Sequence, residues 1–234
     1  MTPEQTKKFK YWQTRTIIVS MIGYALYYFV RKNFNTAMPS IEATFGITKT
    51  QLGIFLTLNG VIYGVSRFVN GFIADYCNIK RFMATGLVVS ASANALMGVL
   101  GLAQSVIPTA VVFVAFAVMW GLNGWAQSMG APPAIIALSR WYPLSKRGTY
   151  YGFFSASHNL GEFLSFLFVG AVVGIFGWQW GFVGSSVAGV LGVAVIVFLL
   201  HDTPESKGLP PVETLAHEKS RSQADRSVKE IQKQ

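Results

Sequence analysis

Between residues 16 and 200 the chain carries only 12 charged side chains in 185 residues, whereas 5 crowd into residues 1–15 and 12 into residues 201–234. A soluble domain carries about a quarter of its residues as charges. The middle of this chain is therefore built for hydrocarbon, where every backbone polar group must be satisfied within its own segment and helices are the simplest solution. Six apolar stretches, about 16–38, 51–73, 82–102, 109–138, 150–173 and 179–200, each approach the ~20 residues a helix needs to cross a bilayer. Pro39, Pro108 and Pro143 punctuate the stretches, and Gly177 between aromatic neighbours marks an interfacial turn. The expected fold class is an all-α membrane protein: a short segment over 1–15, a six-helix transmembrane bundle over 16–200, and a polar linker or tail over 201–234.

Charge placement sets the expected topology. Lys7, Lys8, Lys10, Arg15, Lys80, Arg81, Arg140, Lys146, Arg147 and six basic residues of the tail fall on one side of the spans, and Lys49 alone on the other. The positive-inside rule then puts both termini in the cytoplasm. The basic residues lead into a first span too long and too polar at its end for a cleavable signal, so that helix is expected to stay. The net charge of +9 is dispersed in short clusters rather than spread over one surface, which argues against nucleic acid as a partner. Cys77 is the only cysteine, which excludes a disulfide framework or a zinc cluster, and neither a metal nor a cofactor is expected.

The informative residues are the polar ones inside the spans, because charge at membrane depth is costly and faces a cavity or a partner. Tyr24, Tyr28, Arg31 and Asn35 follow one another at i, i+4, i+7 and i+11, which places them on one helix face. Asn59, Tyr63, Ser66, Arg67 and Asn70 repeat the pattern in the second span, and Tyr151, Ser155, His158, Asn159 and Glu162 in the fifth. In the fourth, Asn123, Gln127 and Ser128 beside Gly121, Gly124 and Gly130 fit either a lining helix or a close-packed contact, and the glycines favour packing. Lys32 is turned about 80° from the tyrosine face and fits snorkelling to the interface. Glu162 reads equally as a proton carrier or as a counter-ion to one of the arginines. Two arginines and a histidine among tyrosine hydroxyls suit an oxyanion, phosphate or carboxylate, since the guanidinium fork binds such groups bidentately. No phosphate loop, paired carboxylates or activated nucleophile is present, and no catalytic residue is assigned.

The runs Gly23-Tyr-Ala-Leu-Tyr-Tyr-Phe-Val-Arg-Lys-Asn-Phe-Asn-Thr-Ala-Met-Pro39, Tyr63-Gly-Val-Ser-Arg-Phe-Val-Asn-Gly-Phe-Ile-Ala-Asp75 and Lys146-Arg-Gly-Thr-Tyr-Tyr-Gly-Phe-Phe-Ser-Ala-Ser-His-Asn-Leu-Gly161 resemble the organophosphate:phosphate antiporters of the major facilitator superfamily. Asp202-Thr-Pro-Glu-Ser-Lys-Gly-Leu-Pro-Pro211 resembles the start of the linker between the two halves of those transporters. The resemblance implies a phosphate-ester/inorganic-phosphate exchanger of the inner or plasma membrane. In it Arg31, Arg67, His158, Tyr24, Tyr28 and Tyr63 form the substrate site, to which Asn159 beside His158 is added as a candidate, and Gly71 and Asp75 belong to the gating loop between the second and third helices, with Arg81 just beyond it as a further gating candidate. Tyr76 after the gating aspartate, Glu162 in place of a small residue, and Phe154 in place of tryptophan depart from the family pattern. Such transporters have twelve helices, so the chain is expected to act as an N-terminal half with a second six-helix half or by self-association. The alternatives are a transporter-like sensor of external hexose phosphate and an inactive fragment. His158 and Glu162, four residues apart, are expected to couple, with the acid raising the histidine pKa.

Overall fold

The structure is a computed structural model and describes residues 2–212 and 214. Helix α1 runs Pro3–Phe45, α2 Lys49–Tyr76, α3 Ile79–Leu102, α4 Thr109–Gln127, α5 Ala131–Trp141, α6 Leu144–Phe176 and α7 Trp178–Leu199, followed by a 3-10 turn, Pro204–Lys207. The described residues contain no strand.

Local chemistry sets the helix ends. Thr2 and Gln5 form a reciprocal capping box at the start of α1, and Thr48 and Gln51 form another at the start of α2. The Asn78 side chain accepts from the Arg81 amide and starts α3. At the far end of α1, Gly46 takes the left-handed conformation, φ 64°, that a helix C-cap favours. The expected stop at Pro39 does not occur: the residue is exposed, and the loss of one amide donor leaves the 43-residue helix continuous.

The fourth apolar stretch is also not one helix. It tightens through i to i−3 bonds at Ser128, Met129 and Gly130, and restarts as α5 with Pro132 and Pro133 in its first turn. Prolines at those positions cannot donate to the preceding turn, so the hydrogen-bond ladder breaks there. By length and composition α2, α3, the combined stretch Thr109–Trp141, α6 and α7 are each able to cross a membrane. Helix α1 falls short on composition, because the tyrosine, asparagine and basic residues of its stripe dilute the apolar ones.

Helix α1 is central, packing along α6 and α7, while α3 packs against α7 and α4, and α2 against α4. Two aromatic-rich cores lie along this bundle. One gathers Phe34, Phe116, Trp120, Trp178 and Phe182, and the other gathers Phe9, Tyr27, Trp141 and Tyr142 at the end carrying the N-terminal lysines. Glycine lets helices approach backbone to backbone: a Cβ on Gly161 would lie 2.7 Å from the Ala25 Cα. The contact locks α6 onto α1.

The stretch read as a linker starts against the bundle. Asp202 pairs with Arg140 at 2.6 Å, and accepts from the Asn78 side chain at 3.0 Å and the Ile79 amide at 3.4 Å. Leu209 and Val212 are buried with Phe9 and Trp141. Burial, aided by Lys207, Arg15 and Lys80, pushes the His201 imidazole down to about 4, so it is neutral where it meets Trp12 edge-on. The rest of the expected tail lies outside the described residues.

Candidate functional site

The stripe of α1 meets that of α2 through Arg31 and Tyr63, and that of α6 through Tyr28 and His158. Tyr24 and Tyr28 are buried, Arg31, Tyr63 and His158 are half-buried, and Arg67 and Asn159 are exposed. The Arg31 guanidinium lies over the Tyr63 ring at 4.1 Å and the Tyr28 ring at 5.5 Å, and donates to the Tyr63 hydroxyl at 3.3 Å. His158 stacks on Tyr28 with centroids 5.9 Å apart, and Tyr24 packs edge-on to Tyr28 and stacks on Phe154. The Arg67 guanidinium reaches to 6.0 Å from the same Tyr63 ring. Two guanidinium groups thus share Tyr63. Aromatic faces stabilise such cations without neutralising them, so both keep their charge and N–H donors for an anion.

The second stripe divides. Asn59 donates to the Trp120 carbonyl at 2.8 Å, Asn70 donates to the Ser128 hydroxyl at 2.6 Å, and Ser66 is buried. At 100° per residue Ser66 and Asn70 lie within about 20° of Asn59, whereas Tyr63 and Arg67 are turned about 40° and about 80° away. Asn59 and Asn70 join α2 to α4, Ser66 bonds back to the Tyr63 carbonyl of its own helix, and Tyr63 and Arg67 face the open side. The polar residues of α4 are likewise structural: Asn123, Gln127 and Ser128 are buried, and a Cβ on Gly124 would meet the Asn59 amide at 2.6 Å. Packing is the correct reading there.

Glu162 departs from expectation. Its carboxylate pairs with Lys32 Nζ at 2.7 Å, across α1 and α6, and no ion pair joins it to His158 or to either arginine. The 80° offset that removes Lys32 from the tyrosine face turns it towards Glu162. The residues of the gating loop sit apart from this cluster, with Asp75 and Arg81 exposed near the turn at Cys77 and Asn78, and Gly71 half-buried with open space around it. Ser165, absent from the sequence reading, donates to the Tyr28 carbonyl at 3.2 Å and helps seat that ring. Its i+7 spacing from His158 was the available signal.

A bundle of this order, with basic and aromatic groups turned to one open side, defines a polytopic transport protein. The chain belongs to the Major Facilitator Superfamily, whose family model matches residues 20–231. It is 38% identical to a probable hexose phosphate transport protein of Chlamydia pneumoniae, over 97% of this chain and 49% of that protein. It is 36% identical to the membrane sensor protein UhpC of Salmonella typhimurium (92% and 46%), and 34% identical to the glycerol-3-phosphate transporter of Bacillus subtilis (88% and 45%). The chain spans about half the length of the curated relatives it matches. Among solved structures, it matches a bacterial homologue of the human lysosomal transporter Spinster in an inward-facing conformation, with a TM-score of 0.68 at 16% identity over 82% of this chain and 44% of that one. A D-xylose-proton symporter matches with a TM-score of 0.59 at 13% identity, over 93% of this chain and 54% of that one. These two support the fold alone. The protein is an integral membrane protein of a transporter family and not an enzyme.

Proposed function

We propose that this chain is one six-helix half of an antiporter that exchanges a phosphate ester, a sugar phosphate or glycerol 3-phosphate, for inorganic phosphate by alternating access. It lies in the inner or plasma membrane with both termini cytoplasmic. The observation that carries this reading is Arg31, seated between Tyr28 and Tyr63 with Arg67 beyond and His158 beside it. A bidentate guanidinium contact is strong enough to select an oxyanion. Exchange follows because the empty site is positive and returns across the membrane reluctantly without an anion.

A second six-helix unit, on this polypeptide or another, covers the open side. Arg67 and Asn159 are exposed there, and lipid is a costly neighbour for both. Vesicles holding this chain alone are expected to show no exchange of labelled phosphate, and co-expression with the C-terminal half of a relative to restore it. Robust exchange by the chain alone overturns the half reading, and absence of exchange in both overturns transport. The 36% identity to the sensor UhpC favours a second reading, reception of a sugar phosphate; binding of glucose 6-phosphate without exchange in the assembled protein would select it.

The Lys32–Glu162 pair makes a further prediction. Both side chains are partly exposed, 28% and 32%, so the pair contributes no more than ~1 kcal/mol, but it cancels a third positive charge beside the anion site. Glu162→Gln should tighten inorganic phosphate binding about two- to fivefold at low ionic strength. The gain should vanish in high salt. Weaker binding in E162Q would mean that Glu162 itself holds the site together.

A further inference from the structure

We infer that Asn94 and Asn123 are positioning residues for the anion site, acting through the backbone of α1 immediately before Arg31; the inference rests on the phosphate reading above. Both are buried, and they come from different helices, α3 and α4. Their side-chain amides converge on a single atom, the Val30 carbonyl oxygen, at 3.1 Å and 3.0 Å. Val30 itself is fully buried and adjoins Arg31 in sequence.

Neither amide is free to turn away. Asn94 also donates to the Ser90 carbonyl at 2.8 Å and accepts from Asn33 at 2.6 Å. Asn123 accepts from Gln127, which in turn donates to the Ser90 hydroxyl at 3.1 Å. The same turn of α1 is held elsewhere: the Tyr27 hydroxyl donates to the Met83 carbonyl of α3, and Ser165 of α6 donates to the Tyr28 carbonyl. Three neighbouring helices therefore grip the α1 backbone or side chains over Tyr27–Val30, one residue short of the guanidinium.

Interhelical hydrogen bonds in a bilayer are worth little each, and spread over a bundle they would act as general glue. Concentrated on one turn they do something else, fixing the height and rotation of α1 where Arg31 leaves it. A guanidinium on a long side chain reaches a bidentate geometry only if its Cα is fixed, because small displacements of an oriented group weaken its contacts steeply. Arg67 has no such collar and lies on an exposed stretch of α2, which makes it an internal control.

The test uses the full chain in phospholipid vesicles. Phenylglyoxal modifies accessible arginines, and peptide mass spectrometry reads the rate at Arg31 and Arg67 separately, with and without inorganic phosphate. In Asn94→Ala and Asn123→Ala, Arg31 is expected to react about threefold faster for each hydrogen bond lost, with Arg67 unchanged. Thr44→Val, which removes the interhelical bond from the Trp178 indole at the far end of α1, should leave both rates as they are. An unchanged Arg31 rate in both asparagine variants overturns the inference, as does a parallel rise at Arg31 and Arg67. Should a variant unfold, Asn123→Leu, which keeps the approximate volume and removes the donor without adding a charge, is scored in its place on the same ratio. The phosphate reading fails separately: it is lost if phosphate protects neither arginine in the chain assembled with the C-terminal half of a relative, while the Arg31 to Arg67 ratio still decides the positioning role.

Discussion

Arg31→Lys should bind inorganic phosphate about 10- to 100-fold more weakly in the assembled transporter although the charge is kept. The figure follows from the loss of one charge-assisted hydrogen bond of a bidentate pair, about 1.5–3 kcal/mol. A planar guanidinium can lie on the Tyr63 ring at 4.1 Å and still present a second N–H edge to an anion, whereas an ammonium placed on the same ring has only a point charge to offer. Equilibrium binding of phosphate to the two proteins measures the difference, and equal affinity would place the anion elsewhere. Arg67→Lys should be milder, because that guanidinium is exposed and 6.0 Å from the ring, so less geometry is lost.

Gly161→Val should disrupt both stability and the site. Two of the three atoms nearest to an added Cβ are the Ala25 Cα at 2.7 Å and the Ala25 carbonyl oxygen at 2.8 Å, so α1 and α6 can admit it only by moving apart. Overpacking of that kind costs typically 1–3 kcal/mol. The separation would also draw His158 away from Tyr28, since both straddle the same helix contact. The expected result is a lowered thermal midpoint in detergent together with loss of phosphate binding. Ala25→Gly in the same chain should rescue little, because backbone atoms remain in the way. Gly174→Val, placed where nothing lies within 4 Å, should be close to silent, and a large effect there would mean that valine on α6 is harmful for reasons other than the contact.

The parts of this molecule that were legible in the sequence are those governed by period and composition. Five of the apolar runs fall on stretches able to cross a membrane, and the 100° step put Tyr24, Tyr28 and Arg31 on one face of α1. Reading a stripe as a single surface went too far in α2. A stripe about 100° wide can serve two neighbours, and Asn59 and Asn70 turned to α4 while Tyr63 and Arg67 turned to α1 and the open side. No rule internal to one helix decides that, because the boundary depends on where α4 lies. Glu162 shows the same limit. Its four-residue spacing from His158 was visible, but Lys32, 130 positions away, was the cation across the gap. Pro39 and the break after Gln127 went opposite ways for a related reason: one proline on an exposed face is absorbed, whereas two in succession after Gly130 restart the ladder.

The Asp202 carboxylate touches three different helices' territory, through Arg140 at the end of α5, Asn78 and Ile79 at the start of α3, and its own place just beyond α7. A chain that leaves a bundle through a freely hinged joint loses the record of how that bundle is turned. Here the joint is clamped, and Leu209 and Val212 press the following residues down beside Phe9. Under the proposed alternating access, a tilt of the bundle would swing the polypeptide at residue 212 with it as the tip of a stiff pointer, so that whatever it is joined to would receive an angle and not merely a tether.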